Sequence, residues 1–135
     1  MTDCDLILVD TNVILDVLED DPRWAAWSAD QMSRVVGRMA INPLIYTELG
    51  YEAGEIEDVE RILVTLGLIY LEMPREALFL ASKAYRTYRL RGGIKTAPPA
   101  DFFIGAHAAV LGIPILTRDV SRYQSYFPDV ELIAP

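Results

Sequence analysis

The first apolar run, Leu6-Ile7-Leu8-Val9, is continuous and closes on Asp10, as a strand buried on both faces would. Asn12 to Glu19 continues at helical spacing through Val13, Leu15-Asp16-Val17 and Leu18, until Asp20-Asp21-Pro22 interrupts it. Pro22 suits the first turn of a second helix, which carries Trp24 and Trp27 and stops near Gly37. Arg38-Met39-Ala40-Ile41 predicts a second strand. Asn42-Pro43, a capping residue followed by proline, predicts a helix through Glu48 and Leu49 toward Gly54. Glu57 to Leu66 predicts another helix, ended by Gly67, and Leu68-Ile69-Tyr70-Leu71 a third strand. Pro74 opens a long amphipathic helix with Ala77, Leu78, Ala81, Ala84, Tyr85 and Tyr88 on its apolar face, finished by Gly92-Gly93. After Pro98-Pro99 a helix is expected from Ala100 to Leu111, stopped by Gly112. Ile113 to Thr117 then reads as a fourth strand and Val130 to Ile133 as a fifth. This alternation implies a three-layer α/β/α domain on a parallel sheet of four to five strands, with residues 1–135 as one unit.

Composition narrows the class. With 52% hydrophobic and 24% charged residues, the chain is neither disordered nor fibrous. No apolar run approaches the roughly 20 residues of a membrane span. Met-Thr-Asp-Cys-Asp lacks a basic n-region, so no secretory signal is expected. The single cysteine, Cys4, cannot close an internal disulfide and sits in an acidic terminus unsuited to a nucleophile. A reducing cytoplasm is the expected location, with no membrane partner. The net charge of −8 argues against broad electrostatic binding of nucleic acid. It equally suits a chain that gathers carboxylates around a metal.

Position decides between these readings. Ligands of open α/β sheets bind at the carboxyl ends of the strands. Asp10 ends the first strand, and Glu48 lies about one and a half turns into the helix after the second. Asp101 opens the helix after Pro98-Pro99, and Asp119 follows Thr117 at the end of the fourth strand. Four carboxylates from four segments repel one another unless a cation compensates them. Oxygen-only donors suit Mg²⁺ or Mn²⁺ rather than zinc, and such an ion activates water against a phosphodiester. Each acid also has a plainer reading. Asp101 suits a helix N-terminus, Asp119 an N-cap for a short final helix, and Glu48 an exposed helix face. Asp10 is harder to dismiss, because a carboxylate closing so apolar a strand is costly to bury.

Four segments carry a family resemblance. Val9-Asp10-Thr11-Asn12-Val13-Ile14-Leu15-Asp16 resembles the opening motif of PIN domains, above all the VapC-type toxins of prokaryotic toxin–antitoxin pairs. Tyr46-Thr47-Glu48-Leu49, Asp101 to Ala108, and Gly112 to Asp119 resemble the second, third and last motifs, in order and at similar spacing. The resemblance spans nearly the whole chain. It implies an endoribonuclease using Mg²⁺ or Mn²⁺, with Asp10, Glu48, Asp101 and Asp119 as the acidic set. It further implies Thr11, Asn12 and Thr117 as supporting polar residues, a homodimer, and a VapB-type antitoxin that covers the active site and binds promoter DNA. An acid at position 119, where some members carry asparagine, should strengthen metal binding.

The remaining polar residues are weighed beside these. The helix from Pro74 shows a basic stripe of Arg75, Arg86 and Arg89, with Lys83, Arg91 and Lys95 nearby. Such a stripe is usually a solvated face; if it meets RNA, Arg86, Arg89, Arg91 and Lys95 are the contacts, with Arg118 and Arg122 beside Asp119 able to reach phosphate or pair with carboxylates. Phe79 interrupts the stripe, as a residue covered by a partner chain would. His107 is six residues from Asp101, off its helix face, so it reads as structural or exposed rather than as a general base. Trp24 and Trp27 read as core packing, and Asp16 as an exposed residue of secondary interest. Two alternatives stay open: a catalytically weak PIN-like module that grips RNA or protein, and another Mg²⁺-dependent phosphate enzyme. The latter is disfavoured by Asn12 two after Asp10 and by the lack of a lysine in Leu116-Thr117-Arg118.

Overall fold

In the first strand, β1 (Ile7–Val9), every residue is buried although neighbours point to opposite faces. The second, β2 (Met39–Ile41), is the same, so the sheet is covered on both sides. This is a computed structural model describing residues 5–135, so Cys4 lies outside the described residues. The other strands are β3 (Ile69–Tyr70), β4 (Ile115–Leu116) and β5 (Leu132–Ile133). All pair in parallel in the order β3-β2-β1-β4-β5. The chain winds outward from β1 on one side and returns to β4 on the other, so the winding reverses between β1 and β4. That is where an open sheet leaves a crevice at its carboxyl edge. Tyr70 and Ile69 on the edge strand β3 are about 40% exposed, unlike the central strands.

The helices are α1 (Thr11–Leu18), α2 (Ala25–Arg34), α3 (Pro43–Gly50), α4 (Ile56–Leu66), α5 (Arg75–Leu90), α6 (Ala100–Leu111) and α7 (Ser121–Tyr126). Several of their ends have local causes. Asn42 Oδ1 accepts the N–H groups of Leu44 and Ile45 at 3.1 and 3.0 Å, with Pro43 in the first turn. Gly67 and Gly112 end α4 and α6 in the left-handed conformation, at φ 69° and 68°. Two boundaries differ from expectation. Proline 22 does not begin α2, because Asp21 Oδ1 first takes the N–H groups of Arg23 and Trp24, both at 2.9 Å, in a side-chain turn. α3 ends at Gly50, short of Gly54.

α6 is buried almost all round, from Phe102 and Ile104 through Ala108, and packs between α5 and α7. Leu78, expected inside, is 43% exposed; Ala77, Ala81 and Ala84 instead make the buried face of α5. Small residues there let α5 approach α6 closely. Among the described residues no helix is long and apolar enough to cross a membrane.

Gly105 permits the approach of α6 to the segment after α7: a methyl group there would run into the ring of Phe127, which is 5% exposed. Helix propensity favours alanine over glycine by about 1 kcal/mol, but overpacking a rigid aromatic contact costs about 1–3 kcal/mol. Gly105→Ala is therefore expected to lower the urea midpoint; an equal or higher midpoint would show that Phe127 yields.

Candidate metal centre

Asp10 leaves β1 in extended conformation and caps α1, its Oδ1 accepting the Thr11 N–H at 2.8 Å. Its Oδ2 accepts from Thr117 Oγ1 and from Tyr123 OH, both at 2.9 Å, and more distantly from Asn12 Nδ2 at 3.5 Å. These donors come from the start of α1, from the end of β4 and from α7. The carboxyl is nonetheless pushed up to about 6, because burial outweighs the hydrogen bonds and the charge of Asp101 adds to it. Tyr123, 2% exposed, has its phenol raised well above the ordinary value by burial and by the Asp10 charge.

The other three acids line the same cleft, of about 180 Å³, with Thr11, Asn12 and Tyr123. Glu48 is exposed, and its Oε1 accepts from Thr11 Oγ1 at 2.8 Å. Asp101, in the first turn of α6, is half-buried and pairs loosely with Arg122 Nη1 at 3.5 Å. Asp119 precedes α7; its Oδ1 takes Ser121 Oγ at 3.2 Å, and its N–H donates to Thr117 Oγ1 at 3.1 Å. The cleft thus brings together Asp10, Glu48, Asp101 and Asp119. Among the described residues, no three acids, histidines or cysteines stand close enough to grip an ion jointly. Every donor is nevertheless a hard oxygen, and all but the buried Asp10 are open to solvent, which fits an ion of the Mg²⁺ kind that keeps several waters.

Thr11, Asn12 and Thr117 all touch the acids or each other. Asn12 Nδ2 stands 3.4 Å from Thr117 Oγ1, and its Oδ1 faces the Arg118 N–H at 3.4 Å. The basic candidates fare differently. Arg118 is turned inward: Nε and Nη2 meet Asp16 Oδ2 and Oδ1 at 2.8 and 3.0 Å, with Trp24 beneath the guanidinium. Asp16 is therefore not exposed as expected but 3% exposed, and it also accepts from Ser28 Oγ at 2.8 Å. Arg122 lies 5.3 Å from the ring centroids of both Tyr88 and Phe102. Arg89 Nη1 donates to the Lys95 carbonyl at 2.6 Å, Arg91 lies over Tyr126, and Arg86 is exposed. Phe79 is exposed in the single chain, with Lys83 Nζ 4.9 Å from its ring centroid.

His107 is buried in α6 and absent from the cleft lining. Asn42 Oδ1 is already accepting in its capping role, so Asn42 Nδ2 donates to His107 Nδ1, 3.3 Å away. Trp27 packs on the core, as expected, but Trp24 forms an edge contact with it and supports Arg118. Tyr123 escapes sequence reasoning, and Arg118, expected to reach phosphate or pair with the carboxylates around Asp119, pairs instead with Asp16. The one available signal is the polar Asp16 inside the apolar run of α1.

The raised Asp10 carboxyl sets a pH dependence of stability. Its proton binds more tightly in the folded state, at about 6, than in the unfolded chain near 3.9. Above 6 both states are ionised and the folded state bears the full burial cost; that cost is relieved as pH falls from about 6 toward 4. In EDTA-treated protein, wild type should gain stability relative to Asp10→Asn over this window, by on the order of 2–3 kcal/mol. Urea melts at several pH values would show this as diverging midpoints, and parallel curves would refute it.

Comparison with known proteins places this arrangement. The model of the PIN domain matches residues 7–124. The chain is similar in fold to DNA-bound VapBC from Salmonella typhimurium, with TM-score 0.71 and 19% identity over 96% of this chain and 97% of that one. VapBC2 from Rickettsia felis, bound to a promoter DNA fragment, gives TM-score 0.69 at 16% identity over 96% and 98%. FitAcB from Neisseria gonorrhoeae gives 0.68 at 22% over 95% and 96%. No curated protein matches the chain by sequence. With the family model covering all four acids and the crevice in which they meet, the chain belongs to the PIN-domain family.

Proposed function

We propose that the protein is an endoribonuclease dependent on Mg²⁺ or Mn²⁺ and acts as the toxin of a VapBC-type toxin–antitoxin pair. The observation that carries this is the convergence of Asp10, Glu48, Asp101 and Asp119, from four separate segments, on one cleft at the carboxyl edge of the sheet. In this reading Asp10 is the main ligand, and Asp101 and Asp119 complete the shell directly or through water. When bound, the cation neutralises charge developing on the phosphodiester and acidifies water. Glu48 Oε1 is held by Thr11, which leaves Oε2 to orient the attacking water and take its proton. Attack at phosphorus forms the new P–O bond as the bond to the leaving ribose oxygen breaks; that oxygen keeps the bonding pair and takes a proton from solvent water.

Charge distribution supports a polyanionic substrate, of which RNA is the one proposed. Between Ala77 and Ala100 the sequence contains no acid, but it contains Lys83, Arg86, Arg89, Arg91 and Lys95. This band runs along α5 and the following loop to Asp101, so a polyanion can be held beside the acidic cleft without crossing it. Arg86 and Lys95 are exposed, and Arg122 stands at the rim beside Asp101. Similarity in fold to toxin–antitoxin complexes supports a VapB-type antitoxin as partner; the homodimer is carried over from the family resemblance alone.

One observation favours a second reading. Asp101 is already paired with Arg122 and no three acids close on a point, as in a module that grips RNA without cutting it.

Purified, antitoxin-free protein incubated with cellular RNA and Mn²⁺ is expected to make discrete cuts. These cuts should disappear with EDTA, and Asp10→Asn should reduce the rate at least 100-fold. Absence of cleavage by folded protein in Mn²⁺ would transfer the assignment to the binding module.

A further inference from the structure

The Asp10 carboxylate offers about four lone-pair positions, two on each oxygen. Oδ2 uses both of its own on close donors, Thr117 Oγ1 and Tyr123 OH, with Asn12 Nδ2 at the margin. Oδ1 uses one on the Thr11 N–H. One lone pair, on Oδ1, is left for anything in the cleft.

We infer that Tyr123 is a positioning residue for the metal site: its hydroxyl occupies Asp10 Oδ2 and leaves Oδ1 as the single oxygen that Asp10 presents to a divalent cation. The inference rests on the proposed nuclease reading and adds to it a residue from outside the four acidic motifs. Thr117 and the Thr11 N–H come from the segments that carry the acids, whereas Tyr123 reaches Asp10 from α7, 113 positions away along the chain. Packing alone does not account for a tyrosine here. Its ring would be replaced equally well by phenylalanine, while a buried hydroxyl must find an acceptor, and the acceptor it finds is Asp10.

The arrangement has a chemical consequence. Mg²⁺ and Mn²⁺ need ligands at fixed directions around a small octahedron, whereas Ca²⁺ accepts a carboxylate through both oxygens at once. With Oδ2 occupied, Asp10 binds through one oxygen and in one orientation. Groups that orient a ligand in this way typically carry about 10- to 100-fold in metal affinity or activity.

The test uses Mn²⁺ as probe, with free ion measured by electron paramagnetic resonance in titrations of wild type, Tyr123→Phe and Asp10→Asn. Tyr123→Phe keeps the ring in its buried site and removes only the hydroxyl. Its Mn²⁺ affinity is expected to fall about 10-fold, and cleavage should return toward the wild-type rate as Mn²⁺ is raised. Wild-type affinity in Tyr123→Phe, or a lowered rate at saturating Mn²⁺ with unchanged half-saturation, would overturn the inference and leave the nuclease reading standing. Absence of Mn²⁺ binding by the wild type, equal to that of Asp10→Asn, would remove both.

Discussion

Burial of the Asp10 carboxylate is the constraint around which the rest of the site is arranged. A carboxylate at the end of an apolar strand loses its water, and the loss is tolerated only where donors replace it. Here they come from the first residue of α1, from the end of β4 and from α7. Those segments are distant in sequence, so compensating one charge ties together the two strands between which the winding reverses. The compensation is incomplete, since the carboxyl still holds its proton up to about 6. A cation in the cleft would relieve the remainder. The folded state is therefore poised toward such a ligand.

A second buried carboxylate fixes the other wall. Asp16 is more deeply buried than Asp10 but is satisfied outright by Arg118 and Ser28. Removing one partner from such a pair costs about 3–5 kcal/mol, which gives the contact enough weight to hold a loop. Arg118 immediately precedes Asp119, so the bond from α1 to Arg118 also sets where Asp119 stands. Two carboxylates on one short helix thus serve opposite ends: Asp16 is fully paired and immobilises the site, while Asp10 keeps one oxygen available.

Local chemistry made much of the fold legible. Continuous apolar runs marked the central strands, Asn42-Pro43 marked the start of α3, and Gly67 and Gly112 marked helix ends, because each acts through nearest neighbours. The four acids were legible because strand ends and helix starts place them on one edge. What escaped depended on contacts between distant segments. Nothing within six residues of Asp16 or Tyr123 reports that Arg118 or Asp10 will meet them. Leu78 misled for a related reason: helical spacing placed it with Ala81 and Tyr85, but α6 covers a narrower stripe of α5 than the pattern suggested.

The overall charge of −8 illustrates why sign must be read by place. Exposed charges separated by more than about 8–10 Å are largely screened at physiological salt, so an incoming phosphate responds to the groups nearest its path and only weakly to the total. In the proposed reading, the groups along that path would be the acid-free stretch of α5 and its loop, then Arg122, then the carboxylates. Arg122 rests against the rings of Tyr88 and Phe102 and is paired with Asp101 at a loose 3.5 Å, so in the proposed reading a phosphate oxygen would compete with that carboxylate for the guanidinium.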